Sequence, residues 1–126
     1  MAMLTDEMKQ IIADQRPGYI ATASKEGIPN VSPKGSTRVI DDETIAFAAI
    51  MSEKTIRNLE ENPNIAVAVL DVKARKGYQF RGTATLEGSG GLFDELSAAM
   101  KQANLPDPKF AVRIKVSQVF DIPPKR

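Results

Sequence analysis

Short runs of β-forming residues recur along this chain of 126 residues, and turn signals or helical segments separate most of them. A strictly alternating order of strand, helix and strand is missing, which argues against a Rossmann-type domain. The pattern instead predicts a mainly β fold of about six mostly antiparallel strands with about three helices. The expected strands are residues 19–24, 31–40, 44–50, 65–70, 78–85 and 110–120, and the expected helices lie near residues 4–15, 52–62 and 92–100.

Glycine and proline interrupt two of these strands. Pro29, Pro33 and Gly35 lie in or beside the second strand, so it is expected to be bent, bulged or placed at a sheet edge. Gly82 marks a sharp bend or a close backbone contact in the fifth. Six strands with such bends are enough to close a small β-barrel, and nothing in the sequence suggests a second domain. We expect residues 1–126 to form a single domain.

Composition excludes most catalytic mechanisms that depend on protein side chains alone. The chain has no histidine and no cysteine. A histidine base, a Ser-His-Asp or Cys-His nucleophile, and imidazole or thiolate metal sites are therefore not available, and no catalytic or metal-ligating side chain is assigned. If the chain is an enzyme, a cofactor supplies the reactive group.

Charge and hydropathy patterning favour a small-molecule partner. Lys plus Arg is 17 and Asp plus Glu is 16, giving a formal net charge of +1, so neither nucleic acid nor an acidic membrane surface is expected to bind. The first ten residues are rich in charge and do not look like a signal peptide, and no apolar run approaches the ~20 residues needed to span a bilayer. These features favour a cytoplasmic protein.

The segment of residues 48–59 contains the most informative local anomaly. Lys54 lies in the expected first turn of a helix, where the helix dipole disfavours a cation unless an anion binds there. The hydroxyls of Ser52 and Thr55 would complete a phosphate site with the free N–H groups of that turn. In the alternative interpretation, Ser52 only caps the helix, Glu53 satisfies the dipole and Lys54 is solvated. From composition alone the alternative is favoured.

Residues 31–38 form a second candidate site. Proline removes a backbone donor and glycine permits close approach, so a flat ligand could lie along this strand edge and use backbone groups and short hydroxyls. The alternative is that proline and lysine merely protect an edge strand from aggregation. The residues alone do not separate these two interpretations.

Several ordered motifs resemble the pyridoxamine 5′-phosphate oxidase-like FMN-binding split-barrel family, over about residues 17–120. The resemblance rests on several motifs in the family's order, rather than on a single short match. They are residues 19–30, residues 42–47, Lys54-Thr55 with residues 57–59, Asn62-Pro63, Gly77-Tyr78 and residues 81–84.

The resemblance implies a six-stranded split barrel that forms a homodimer and holds FMN in a cleft between the two subunits. Lys54 and Thr55 would hold the FMN phosphate, with help from Ser52 and Asn58. Ser32, Pro33, Lys34, Gly35 and Ser36 would run beside the isoalloxazine ring, with Ala48 and Ala49 on the neighbouring strand. The Lys54 anomaly and the family pattern thus fall on the same residues, which favours the phosphate-site interpretation.

Two departures from the family pattern bear on function. Glu53 replaces a basic residue that many members carry before the lysine, which suggests weaker phosphate binding or compensation by another basic residue. The C-terminal extension of the vitamin B6 oxidases is missing, so pyridoxamine-phosphate oxidation is not expected. The resemblance instead implies a flavin-dependent oxidoreductase acting on a small planar electron acceptor, with a nicotinamide as candidate electron donor.

Three alternatives stay open at this point. A non-catalytic FMN carrier or electron-transfer protein would have no substrate pocket beside the ring. A deazaflavin could replace FMN. A flavin-free barrel that binds oligonucleotides is disfavoured by the near-neutral charge and the few aromatic residues.

Overall fold

Seven strands and three helices follow one another in the computed structural model, which describes residues 3–124. The order is α1 (Asp6–Asp14), β1 (Gly18–Ala23), β2 (Pro29–Lys34), β3 (Arg38–Asp41), β4 (Thr44–Ala49), α2 (Glu53–Glu61), β5 (Asn64–Asp71), β6 (Lys76–Glu87), α3 (Gly91–Gln102) and β7 (Phe110–Ile122). The mainly β prediction with three helices is confirmed.

All seven strands belong to one antiparallel sheet, in the order β2-β1-β5-β6-β7-β4-β3. Its two edge strands, β2 and β3, are joined by residues 35–37 alone. A link this short reaches at most ~14 Å, whereas the edges of a flat seven-stranded sheet would lie about 29 Å apart. The sheet therefore curls until its edges nearly meet, which is the geometry of a split barrel.

The predicted strand count of six is wrong by one, because residues 31–40 form two strands rather than one. The chain turns after Lys34, whose carbonyl oxygen accepts hydrogen bonds from the Thr37 backbone N–H (3.2 Å) and hydroxyl (2.7 Å). Thr37 is fully buried against Gly18, where an added Cβ would lie 2.7 Å from Oγ1. At this packed corner the chain passes from one edge strand of the sheet to the other.

Large apolar side chains fill the inside of the barrel. Ile20, Phe47, Val67, Phe80 and Ile114 are completely buried there. A smaller apolar cluster lies between α3 and the outer face of β4 and β7, so β4 is covered on both faces. The rigid double packing of β4 fixes the position of the loop that follows it. Among residues 3–124, no helix is long and apolar enough to cross a membrane.

The close backbone contact predicted at Gly82 is confirmed. The register between β6 and β7 shifts between Arg81 and Gly82, so that Ser117 is the extra residue of a β-bulge. A Cβ built on Gly82 would lie 1.9 Å from the carbonyl oxygen of Lys115. Only glycine allows the two strands to meet at this bend.

Candidate functional site

The N-terminus of α2 departs from the capping predicted by sequence. Ser52 occupies the N-cap position and is buried, but its side chain makes no capping hydrogen bond. Its hydroxyl oxygen instead accepts a hydrogen bond from Lys34 Nζ. The expected N-cap position of Ser52 is confirmed, but the capping bond expected of its side chain is not formed, and the hydroxyl contacts a lysine on the neighbouring edge strand. The first-turn N–H groups of α2 lack this acceptor and can receive an anion.

Lys34 brings an unbalanced positive charge to the same place. It lies at the end of β2, is half-buried, and forms no ion pair within the described residues 3–124. Burial lowers the pKa of its ammonium group below the ordinary lysine value. A partly desolvated cation without a carboxylate is costly, and a bound anion would relieve that cost.

A cleft of about 570 Å³ opens between the edge of β2 and the start of α2, and we call it the α2 cleft. The buried Thr55 hydroxyl accepts a hydrogen bond from Asn30 Nδ2 (3.5 Å), which ties the helix to the edge strand. Lys54 lines the cleft with an exposed side chain. The start of α2 thus brings two hydroxyls, the Lys54 ammonium group, the Glu53 carboxylate and first-turn N–H groups to the cleft, and Lys34 contacts it through Ser52. The predicted site residues that line the cleft are Ser32, Ser52, Lys54 and Thr55.

A second cavity of about 450 Å³ lies on the other side of Lys34, and we call it the corner cavity. The Ser36 hydroxyl accepts a hydrogen bond from the Ala48 N–H (2.9 Å) and donates to the Ala48 carbonyl (3.5 Å). These bonds hold the corner of the chain against β4. Ile50 lines both the corner cavity and the α2 cleft. The predicted ring-side residues found in this cavity are Pro33, Lys34, Gly35, Ser36 and Ala48.

Two predicted site residues lie elsewhere. Ala49 is completely buried in the barrel core, because side chains alternate along β4 and its neighbour Ala48 takes the outer face. Asn58 is partly buried, donates a hydrogen bond from Nδ2 to Thr22 Oγ1 (3.0 Å), and lines a third cavity on the far side of Lys54. As the structure stands, their side chains line neither the α2 cleft nor the corner cavity.

Other lining residues were missed by sequence reasoning. Lys109 reaches the α2 cleft because its N–H donates to the Ala49 carbonyl (2.8 Å), just before β7 pairs with β4. Arg16 and Arg38 line the corner cavity. These residues are far apart in the chain, and only the pairing and curvature of the sheet bring them together. No local sequence signal marks them.

The donor set suits a phosphate-bearing cofactor with a flat body. Helix N–H groups, hydroxyls and lysine ammonium groups are the common ligands of phosphate in proteins. The lining of the corner cavity by Pro33, Gly35, Ala48 and Ile50 is compact and mostly apolar, as flat ligands require. The α2 cleft and the corner cavity are neighbours, because Ile50 lines both and Lys34 of the corner cavity contacts Ser52 of the α2 cleft.

Comparisons with known proteins show which family the chain belongs to. The model of the family described as pyridoxamine 5′-phosphate oxidase matches residues 4–122. The uncharacterized protein MJ0282 of Methanocaldococcus jannaschii is 34% identical over 94% of this chain and 80% of its own length. The crystal structure of HupZ from Group A Streptococcus is 32% identical, with a TM-score of 0.88 over 95% of this chain and 94% of that one.

Two more distant structures share the fold. One is an FMN-binding protein from Syntrophomonas wolfei, 19% identical, with a TM-score of 0.85 over 98% of this chain and 88% of that one. The other is the heme storage protein HutZ from Vibrio cholerae, 22% identical, with a TM-score of 0.71 over 94% of each chain. With a family model that matches nearly all of its length, this chain belongs to the pyridoxamine 5′-phosphate oxidase family.

Proposed function

We propose that this protein binds FMN, with the phosphate at the α2 cleft and the isoalloxazine ring beside residues 32–36. The observation that carries the proposal is the Lys34–Ser52 contact, which places an unbalanced cation beside an uncapped helix N-terminus. The first-turn N–H groups, Thr55 and Lys54 would hold the phosphate. Asn58 is a further candidate ligand in the family pattern, although reaching the phosphate requires it to leave Thr22.

The flat part of the cofactor would lie along the packed corner of the chain. Ser36 forms two hydrogen bonds with Ala48, so contacts within the chain itself hold this wall against β4. Gly35 presents only backbone at this wall, with nothing within 4 Å of an added Cβ, so a flat ring can approach it closely. The Ala49 side chain is buried in the core behind this wall and would make no contact with the cofactor.

A bound flavin accepts and donates a hydride or single electrons without help from a protein acid. The chain itself then needs only to bind, orient and electrostatically tune the cofactor, which fits a sequence without histidine or cysteine. We propose a flavin-dependent oxidoreductase in which a nicotinamide supplies electrons and a small planar molecule accepts them. The simpler alternative is an FMN carrier that lacks turnover.

Turnover assays separate the oxidoreductase from the carrier. FMN-loaded protein is mixed with NADH or NADPH and a panel of quinones and nitroaromatics, and the oxidation of the nicotinamide is followed by absorbance. We expect turnover with at least one acceptor, above the rate of free FMN at the same concentration. Turnover with none of them would support the carrier. The mass of the chromophore released from purified protein distinguishes FMN from a deazaflavin.

Haem is the second candidate ligand, and the similarity in fold to the heme storage protein HutZ favours testing it. A haem iron held by this chain would receive neither imidazole nor thiolate from it, because both residue types are absent. Parallel titrations with FMN and hemin decide between the two. We expect saturable one-to-one binding of FMN; saturable binding of hemin with no FMN binding would overturn the proposal.

The affinity for FMN is expected to fall at alkaline pH. Lys34 binds an anion only in its protonated form, and burial lowers its pKa below the ordinary lysine value. At about pH 8 the phosphate is already a dianion, so its own titration no longer changes the FMN affinity. The affinity should then decrease as the pH rises further, through the lowered pKa of Lys34. Fluorescence titrations across this range measure the effect. Lys34→Gln should bind FMN more weakly, and its affinity should decrease less with rising pH than that of the wild-type protein; an unchanged profile in the variant would exclude Lys34.

We also propose that the site is completed by a second copy of the chain. Two apolar side chains at the rim of the α2 cleft point into solvent: Val31 is 68% exposed and Met51 is 90% exposed. Covering these residues would bury apolar area and exclude water from the cofactor. Light scattering of the purified protein is expected to give the mass of a dimer, and a monomer would contradict an intersubunit site.

A further inference from the structure

Three cations line the corner cavity without a carboxylate among its lining residues. Arg16 follows α1, Lys34 ends β2 and Arg38 begins β3. In the part of the chain that the structure describes, none of the three takes part in an ion pair. Only Lys34 has been assigned to the cofactor, through its contact with Ser52. The charges of Arg16 and Arg38 are thus left without a role in FMN binding.

The two arginines line the same cavity and carry like charges. Burial is the main cause that lowers the pKa of the Arg38 guanidinium, the charge of Arg16 lowers it further, and Glu95 opposes both effects. Arg38 is also held in place, because its Nε donates to the Ser36 carbonyl (3.0 Å). That bond uses one of five guanidinium N–H groups. An anion bound between two like charges would relieve their repulsion.

Part of the lining of the corner cavity is apolar. Beyond the wall assigned to the flavin ring, it includes Met100 near the end of α3 and Ala103 and Leu105 just after that helix. A ligand for this cavity would therefore combine a flat apolar body with an oxyanion at one end. Guanidinium groups match a carboxylate especially well, because they can donate two parallel hydrogen bonds.

We propose that Arg16 and Arg38 bind the carboxylate of a flat aromatic molecule in the corner cavity, and that the electron acceptor of this protein is an aromatic carboxylate. This substrate class rests on the proposed function, whereas binding of the carboxylate does not require FMN. Arg16 and Arg38 are then residues that determine specificity and make no contact with the FMN phosphate.

Two probes of the same shape test the proposal: 2-naphthoate, which is an anion at pH 7, and uncharged 2-naphthamide. Binding of each is measured by calorimetry on the protein with and without FMN. We expect the protein to bind 2-naphthoate roughly tenfold or more tightly than 2-naphthamide, because only the carboxylate can accept charge-assisted hydrogen bonds from the arginines. Arg16→Gln and Arg38→Gln should remove most of this preference, and Arg38→Lys should retain part of it. Arg75→Gln, in the turn between β5 and β6, is the matched control and should keep all of it.

FMN titrations of the same variants keep the two proposals apart. Unchanged FMN affinity in Arg16→Gln, together with loss of the carboxylate preference, supports the inference. Equal binding of both probes to the wild-type protein would overturn it, whether or not FMN binds. Weaker binding of both FMN and riboflavin to Arg16→Gln would also overturn it, because the arginines would then hold the flavin ring. Failure to bind FMN, with the carboxylate preference intact, would overturn the proposed function and the acceptor assignment but leave the carboxylate site standing.

Discussion

Replacing Gly82 by alanine is expected to destabilise the protein by about 3 kcal/mol or more, because the new methyl group has no space. Its Cβ would lie 1.9 Å from the Lys115 carbonyl oxygen and 3.1 Å from Val116 Cα, both backbone atoms of β7. The strands can relieve this overlap only by moving apart at the bulge. Urea denaturation followed by circular dichroism measures the loss, as a lower midpoint or as failure to fold.

Gly91→Ala is the matched control for this substitution. Gly91 is the first residue of α3, is exposed, and has nothing within 4 Å of an added Cβ. Alanine should be neutral or slightly stabilising there. If Gly82→Ala unfolds at the same urea concentration as Gly91→Ala, the close contact that bends the barrel is not present as described.

Replacing Lys54 by alanine is expected to weaken FMN binding by ~1.5–3 kcal/mol, the usual contribution of a hydrogen bond to a charged group. The side chain is exposed at the start of α2 and contributes little to the core, so the protein should remain folded. Riboflavin has the same ring without the phosphate, and its affinity should not change. Fluorescence titration with both flavins therefore separates loss of the phosphate contact from general damage to the site.

Lys73→Ala provides the charge-matched control, because Lys73 lies in the exposed turn between β5 and β6. It should leave the affinity for both flavins unchanged. Equal weakening of FMN and riboflavin by Lys54→Ala would show that Lys54 acts through packing. An unchanged FMN affinity would remove it from the site.

Much of the fold follows from local patterns in the sequence. Apolar and polar residues alternate along β7 from Phe110 onward, as local rules predict for a strand. Local rules also predict the capping of α1 by Thr5 and the position of Pro63 just after α2. The division of residues 31–40 into two strands does not follow from such rules. It depends on the burial of Thr37 against Gly18, a contact between segments that only the curled sheet brings together. The strand count was therefore wrong while the fold class was right.

The candidate site shows the same division between local and long-range information. A cation in the first turn of a helix is a local anomaly, so Lys54 and Thr55 could be singled out from the sequence. The Lys34–Ser52 contact could not, since it joins an edge strand to a helix and replaces the cap that serine normally forms. Arg16 and Lys109 reach the two cavities only through the path of the sheet.

The most direct test of the central claim compares the binding of FMN and riboflavin to the wild-type protein. The claim is that the α2 cleft is a phosphate site, built from the uncapped start of α2 and the lysines beside it. We expect FMN to bind at least roughly tenfold more tightly than riboflavin, since the phosphate gains charge-assisted hydrogen bonds that riboflavin cannot form. Equal affinities for the two flavins, or no binding of either, would contradict the account.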